Sequence, residues 1–257
     1  MPAIRPILFS WFLAAVLFSS ARAAELKILS AGVMKDVVLT LRLQYEKESG
    51  NKLVVDIAPA GTLARRIEGG EPFDVVVVPR AVLDRLSKAG KIESASRADL
   101  AAVGVGVTVK EGAPRLDISS VEAFKRALLA AKSIAHTDPA AGATSGIYLT
   151  QLFEKLGIAD QLRPKIRLVR GGSSAELVAR GKAEIAVQQA SEIVNIPGTV
   201  YVGPLPKEIQ RISVYGAAIS ASASDKKAAQ ALIALLSGPA AARLLQPHGL
   251  DPVPAKP

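Results

Sequence analysis

Residues 61–79 read GTLARRIEGGEPFDVVVVP, and how this stretch is read decides the fold. Thr62 is placed to cap a short helix that runs to Glu68 and stops at Gly69-Gly70. The run Asp74–Val78 is unbroken β-branched sequence, the mark of a strand buried on both faces, as in a parallel sheet covered by helices. Working backwards, residues 53–58 form a second strand and residues 34–48 a helix closed by Ser49-Gly50. Residues 26–30 form a first strand. Working forwards, residues 81–89 form a helix ended by Gly90. Three strand–helix units in succession define an α/β lobe.

The pattern then restarts. Residues 101–109 (AAVGVGVTV) are apolar, strand-like and broken by glycines, which suits a crossover between lobes. Helices are expected at 121–131, 144–156 and 174–180. Strands are expected at 133–137, 166–169 and 184–188. The segment 197–206, rich in Pro and Gly, holds a short strand at 199–202. A strand at 212–219 crosses back, and two alanine-rich helices at 224–236 and 239–245 finish the chain. The expected architecture is therefore α/β: a two-lobed clamshell joined by two crossover strands. One lobe takes residues 24–103 with 215–257, and the other takes residues 104–214.

The chain has 257 residues and no cysteine, which excludes disulfides, thiolate metal sites and a cysteine nucleophile. Arg5, an apolar stretch from Ile7 to Phe18 and Ala21-Arg22-Ala23 read as an export signal cleaved after residue 23. That stretch is too short for a membrane span of about 20 residues. Without a cysteine to carry a lipid, a soluble periplasmic protein is expected. Cleavage removes Arg5 and Arg22, lowering the formal charge from +9 to +7. The basic residues are scattered among acids and aromatics are scarce, so a nucleic-acid partner is not expected. A modest positive field favours a small anion.

Ligands of α/β sheets sit at the carboxyl ends of strands, and pockets favour domain interfaces. Four small-residue turns answer that description. They are residues 30–33 with Gly32 and Val33, residues 58–62 with Ala60, Gly61 and Thr62, residues 138–146 with Thr144 and Ser145, and residues 170–174 with Gly172 and Ser173. Each precedes a helix, whose first N–H groups and partial positive charge attract anions. Gln188 and Gln189 end a strand, so one of them should face the cleft. Arg80 follows DVVVVP at the mouth of the first lobe and is a candidate carboxylate partner. Neither GxGxxG nor a Walker loop is present, and His136 and His248 lack partners at metal spacing. No catalytic constellation, metal site or cofactor is expected, and the chain should act as a monomer.

Four segments, LKILSAGVMKDVV, GTLARRIEGGEPFDVVVVP, DPAAGATSGIYL and ELVARGKAEIAVQQASEI, resemble the molybdate-binding family of ABC uptake systems. That family belongs to the type II periplasmic binding proteins, and the resemblance spans nearly all of residues 25–255. It implies the clamshell fold, a cognate ABC permease and an interlobe anion site. The family's oxyanion-binding serines fall at Val33 and Ala60, and its tyrosine falls at Gln188. These departures turn the expectation towards an organic carboxylate. The alternatives are a molybdate- or tungstate-type oxyanion, or presentation of ligand to a membrane sensor.

Overall fold

The computed structural model describes residues 25–253; the expected export signal lies outside the described residues. The first half of the chain alternates β1 (Glu25–Ser30), α1 (Lys35–Ser49), β2 (Lys52–Ile57), α2 (Ala60–Glu68), β3 (Val75–Pro79), α3 (Arg80–Lys88) and β4 (Ala98–Val103). All five residues of β3 are buried. Their burial follows from position: β1 pairs with β3 in parallel and β10 (Ser213–Ile219) pairs with it in antiparallel, while helices cover both faces. The sheet order is β2-β1-β3-β10-β4.

The end of the opening stretch is tied to this sheet by charge. Arg66 donates to both oxygens of Glu71, at 2.5 and 2.7 Å, and to Asp56 on β2. Lys27 on β1 reaches Glu71 at 2.7 Å. Hydrogen bonds from Arg66 and then Lys27 hold the Glu71 carboxyl down to about 2.

The second lobe comprises β5 (Val105–Lys110), α4 (Val121–Ala130), β6 (Ile134–Thr137), α5 (Thr144–Lys155), α6 (Ala159–Leu162), β7 (Ile166–Val169), α7 (Ala175–Ala179), β8 (Ile185–Gln189) and β9 (Thr199–Pro204). Its sheet order, β7-β6-β8-β5-β9, repeats the first: three parallel strands, then an antiparallel strand beside a crossover. Phe124, Leu128, Leu149 and Phe153 pack on one face, and Ala135, Val178, Ala186 and Ile193 on the other. The last helices, α8 (Lys226–Leu236) and α9 (Pro239–Leu245), return to the first lobe. There Leu232, Ile233, Leu236 and Leu245 join the core that contains Leu41 and Tyr45. Among the described residues no single helix is long and apolar enough to cross a membrane.

The stretch expected as one strand at 101–109 is two strands in two sheets. Gly104 alone separates β4 from β5, so one residue passes the chain between lobes. The returning crossover is fastened to it by the Gln210 side chain. Its Oε1 accepts from the Val105 N–H at 2.8 Å, and its Nε2 donates to the Val105 carbonyl at 2.9 Å. A side-chain amide thus does the work of a neighbouring strand where the ladder ends.

Candidate ligand-binding cleft

The two lobes face each other across a cleft of about 180 Å³. That is below the roughly 300–1,000 Å³ of pockets for drug-sized ligands, so it suits a small metabolite. The four turns converge on it. Of the residues expected there, Gly32, Val33, Ala60, Thr144, Ser145, Gly172, Ser173 and Gln189 line the cleft. Gly61, Thr62, Arg80 and Gln188 do not, and each has another role.

Arg80 makes a two-point ion pair with Asp99 on β4, at 2.7 and 2.5 Å, which occupies the guanidinium face a ligand carboxylate would need. Thr62 does not cap α2. The helix starts two residues earlier with Pro59 as its N-cap, and the Thr62 hydroxyl donates across the cleft to the Ala141 carbonyl at 2.8 Å. Gly61 donates its backbone N–H to the Gly142 carbonyl at 3.0 Å. The backbones meet so closely here that a Cβ on Gly61 would lie 2.7 Å from the Gly142 Cα, and Gly142 itself sits at φ +75°. This glycine pair lets the lobes touch. Gln188 is fully buried and holds the fourth turn: its Oε1 accepts from the Ser174 N–H at 2.7 Å and its Nε2 donates to the Gly172 carbonyl at 3.2 Å.

The cleft walls differ in kind. The first lobe presents the side chains of Ala31, Val33, Ile57, Ala58, Pro59 and Ala60, with Lys35 and Asp36 where α1 starts. Its donors are the backbone N–H groups at Gly32 and at the start of α2. The second lobe presents donors. The first N–H groups of α5 have no intrahelical acceptor, and Ser145 is buried beside them with its hydroxyl 3.1 Å from that of Thr137. The helix start is pressed onto the end of β6: a Cβ on Gly146 would lie 2.2 Å from the Thr137 carbonyl oxygen, so the TSG order places the helix N-terminus at the strand end. Gln189, 3% exposed, accepts a hydrogen bond at its Oε1, but its Nε2 has no partner among the described residues. The Ser191 hydroxyl is likewise buried and unpartnered. Unpaired buried donors cost about 1–3 kcal/mol each, which marks this wall as built for an acceptor. Arg170, at the rim, keeps an exposed side chain and a 3.3 Å contact to Asp138.

Among the members of the cleft that sequence reasoning missed, Tyr215 and Glu192 matter most for its chemistry. Tyr215 enters from β10; its hydroxyl donates to Gln189 Oε1 at 3.0 Å and stands 3.2 Å from Thr144 Oγ1. Burial, and then the nearby Glu192 charge, push its phenol well above the usual range. A tyrosine hydroxyl thus does reach the cleft, but from β10 and not from position 188. Glu192, in a 3-10 turn directly after β8, lines the cleft and packs against the first lobe's Gly32. Burial raises its carboxyl to about 7 against a hydrogen bond from Gln188 that favours the charged form. A sequence signal existed: an acid in QQASEI, just past a buried strand end.

The repeated strand order, paired crossovers and interlobe cleft define a two-lobed solute-binding clamshell. The chain belongs to the bacterial extracellular solute-binding proteins, whose family model matches residues 26–251. It is 33% identical, over 94% of its length and 93% of the relative's, to a protein named aconitate isomerase from a Pseudomonas species. It is 28% identical to the molybdate-binding protein ModA of Azotobacter vinelandii, over 92% of this chain and 93% of that one. The solved periplasmic molybdate-binding protein of Azotobacter vinelandii superposes with a TM-score of 0.74 at 21% identity, covering 89% of this chain and 99% of that one. The chain is thus a ModA-like type II periplasmic solute-binding protein in family and fold.

Proposed function

We propose that the protein captures a small organic carboxylate with two or three acid groups between a lobe of residues 24–103 plus 215–257 and a lobe of residues 104–214. It would work in the periplasm and deliver the acid to a cognate ABC permease. The observation that carries this reading is the two-faced cleft. Donors on the second lobe, including the unpartnered Gln189 Nε2 and the start of α5, suit a carboxylate. The alkyl and methylene surface of Val33, Ile57, Pro59 and Ala60 suits a carbon skeleton. An inorganic oxyanion has oxygen on every side, so against those side chains it would lose hydration and gain only the backbone N–H groups of the first lobe in return. The name of the 33% identical relative supports a tricarboxylic acid as the ligand class.

A thermal-shift screen of the mature protein tests the reading, because a ligand that binds only the folded state raises its melting temperature. Citrate, cis-aconitate and trans-aconitate at about 100 times a micromolar Kd should stabilise the fold by roughly 2.7 kcal/mol. A large shift with molybdate and none with any of the acids would overturn it.

A second reading has its own support: the bound acid is isomerised as well as held. The relative's name is one argument for it. The other is an acid–base group, Glu192, lining a cleft that otherwise needs only donors.

A further inference from the structure

Solute capture does not explain Glu192. A charged carboxyl group among the walls would repel a bound anion, and only in its protonated form could it donate to one. Yet the fold places it there deliberately in two respects. The 3-10 turn Ala190–Glu192 follows β8 without a linker, so the carboxyl stands one turn from Gln189 and its unpartnered Nε2. Across the cleft Gly32 offers no side chain, and a Cβ there would sit 2.6 Å from Glu192 Oε1. Gln188, which braces the loop at Gly172–Ser174, also reaches the Glu192 carboxyl.

Resting on the carboxylate reading above, we infer that Glu192 is a catalytic acid–base residue that carries a proton between two carbon atoms of a bound unsaturated polycarboxylate. The substrate class is an acid with a CH2 group flanked by a carboxylate and a carbon–carbon double bond, itself conjugated to a second carboxylate. The Glu192 carboxylate takes a proton from the CH2: the C–H bond breaks, an O–H bond forms, and the electron pair spreads across the double bond into the distant carboxylate. The same carboxyl then gives the proton to the far alkene carbon. A new C–H bond forms, the O–H bond breaks, and the double bond has moved by one position. Glu192 ends as it began, and the step needs no oxidant, reductant or co-reactant.

The surroundings fit each demand of that step. The intermediate's charge gathers on a carboxylate, where the α5 start and Gln189 Nε2 stand as fixed donors. A proton carrier works best with a pKa near the working pH, and burial holds Glu192 at about 7. The titratable and charged groups around the cleft are Tyr215 from β10, Lys35 and Asp36 from α1, Arg170 from the loop after β7, and Glu176 from α7. Asp36 is engaged by His248 at 3.6 Å and Arg170 by Asp138. Glu176 is paired with Arg180 at 3.0 Å, and the Lys35 side chain is exposed to solvent. The Tyr215 hydroxyl is committed to Gln189 and Thr144, which leaves Glu192 as the proton carrier.

The test follows cis-aconitate by proton NMR in deuterium oxide with the mature protein, alongside thermal-shift titration of the same probe. The wild type should exchange the CH2 protons and form the isomer, with kcat/KM rising through a pH of about 7. Glu192→Gln should lower kcat by about 100-fold or more, with KM changed only a few-fold, and Glu192→Asp should recover part of it. A saturating thermal shift without exchange or isomer would overturn the catalytic inference and leave the capture reading standing. No shift with cis-aconitate or citrate would overturn both. Conversion by Glu192→Gln at the wild-type kcat would overturn the assignment, and if that variant fails to fold, a wild-type pH profile flat from pH 5 to 8 does so instead.

Discussion

At the scale of single residues the cleft depends on groups that a local reading of sequence assigns to other tasks. Thr62 before a helical run has the signature of a cap, yet its hydroxyl crosses to the Ala141 carbonyl. A cap and a cross-cleft donor look alike in sequence, because the acceptor lies 79 residues away. Tyr215 was equally hidden: it joins Gln189 and Thr144 from the returning crossover. Gln188 and Gln189 were legible as a pair but not in orientation, which the strand's pleat fixes only once its register is known. Glu192 gives a residue-scale prediction independent of catalysis. Its folded-state pKa is raised above the ordinary 4.5 to about 7, so the folded state holds the proton more tightly than the unfolded chain. The associated stability is fully present below pH 4.5 and is lost as pH rises through 7. Urea midpoints measured from pH 4 to 8 should therefore fall in the wild type relative to Glu192→Gln. Parallel curves for the two proteins would contradict this.

At the scale of elements, the runs with a plain physical cause were the ones readable in advance. Four consecutive valines, short and β-branched, favour a strand covered on both faces, and β3 is that strand. The glycine-broken run was read correctly as a crossover, but its division at Gly104 was not legible. The fastening by Gln210 comes from 105 residues along the chain. Replacing Gln210 by Ala leaves the Val105 N–H without its partner, while the Val105 carbonyl keeps the Leu205 N–H at 3.0 Å; the loss costs about 1–3 kcal/mol. Chemical denaturation should show that loss, and amide exchange at Val105 should rise first. At the start of α5, Gly146→Ala puts a methyl group against the Thr137 carbonyl. Such overpacking costs about 1–3 kcal/mol, and the helix start must shift from the cleft, so the ligand-induced thermal shift should shrink as well. A variant with the wild-type shift would separate that helix from the site.

At the scale of the whole molecule, the two lobes repeat one strand order and meet where only glycines fit. Gly142→Ala would strain a residue at φ +75° and push a methyl group into Gly61. It should hinder closure and weaken ligand affinity by about tenfold, roughly 1.4 kcal/mol. Small-angle scattering should then show a larger radius at saturating ligand than for the wild type, and equal radii would contradict the role given to this contact. The architecture was legible because strand–helix alternation and two crossovers leave few other folds. The ligand class was only half legible. The apolar residues Val33 and Ala60 pointed away from an inorganic oxyanion, whereas the contact of Tyr215 with Gln189 and Thr144 joins residues far apart in the chain.

The most direct measurement of the central claim is isothermal titration calorimetry of the mature protein with citrate, cis-aconitate and molybdate under one buffer. Expected are one site per chain, micromolar affinity for at least one organic acid, and a negative heat-capacity change as the carbon skeleton meets the apolar wall. Molybdate should bind at least about 100-fold more weakly, a difference of roughly 2.7 kcal/mol. Micromolar binding of molybdate with no heat from either acid would contradict that claim.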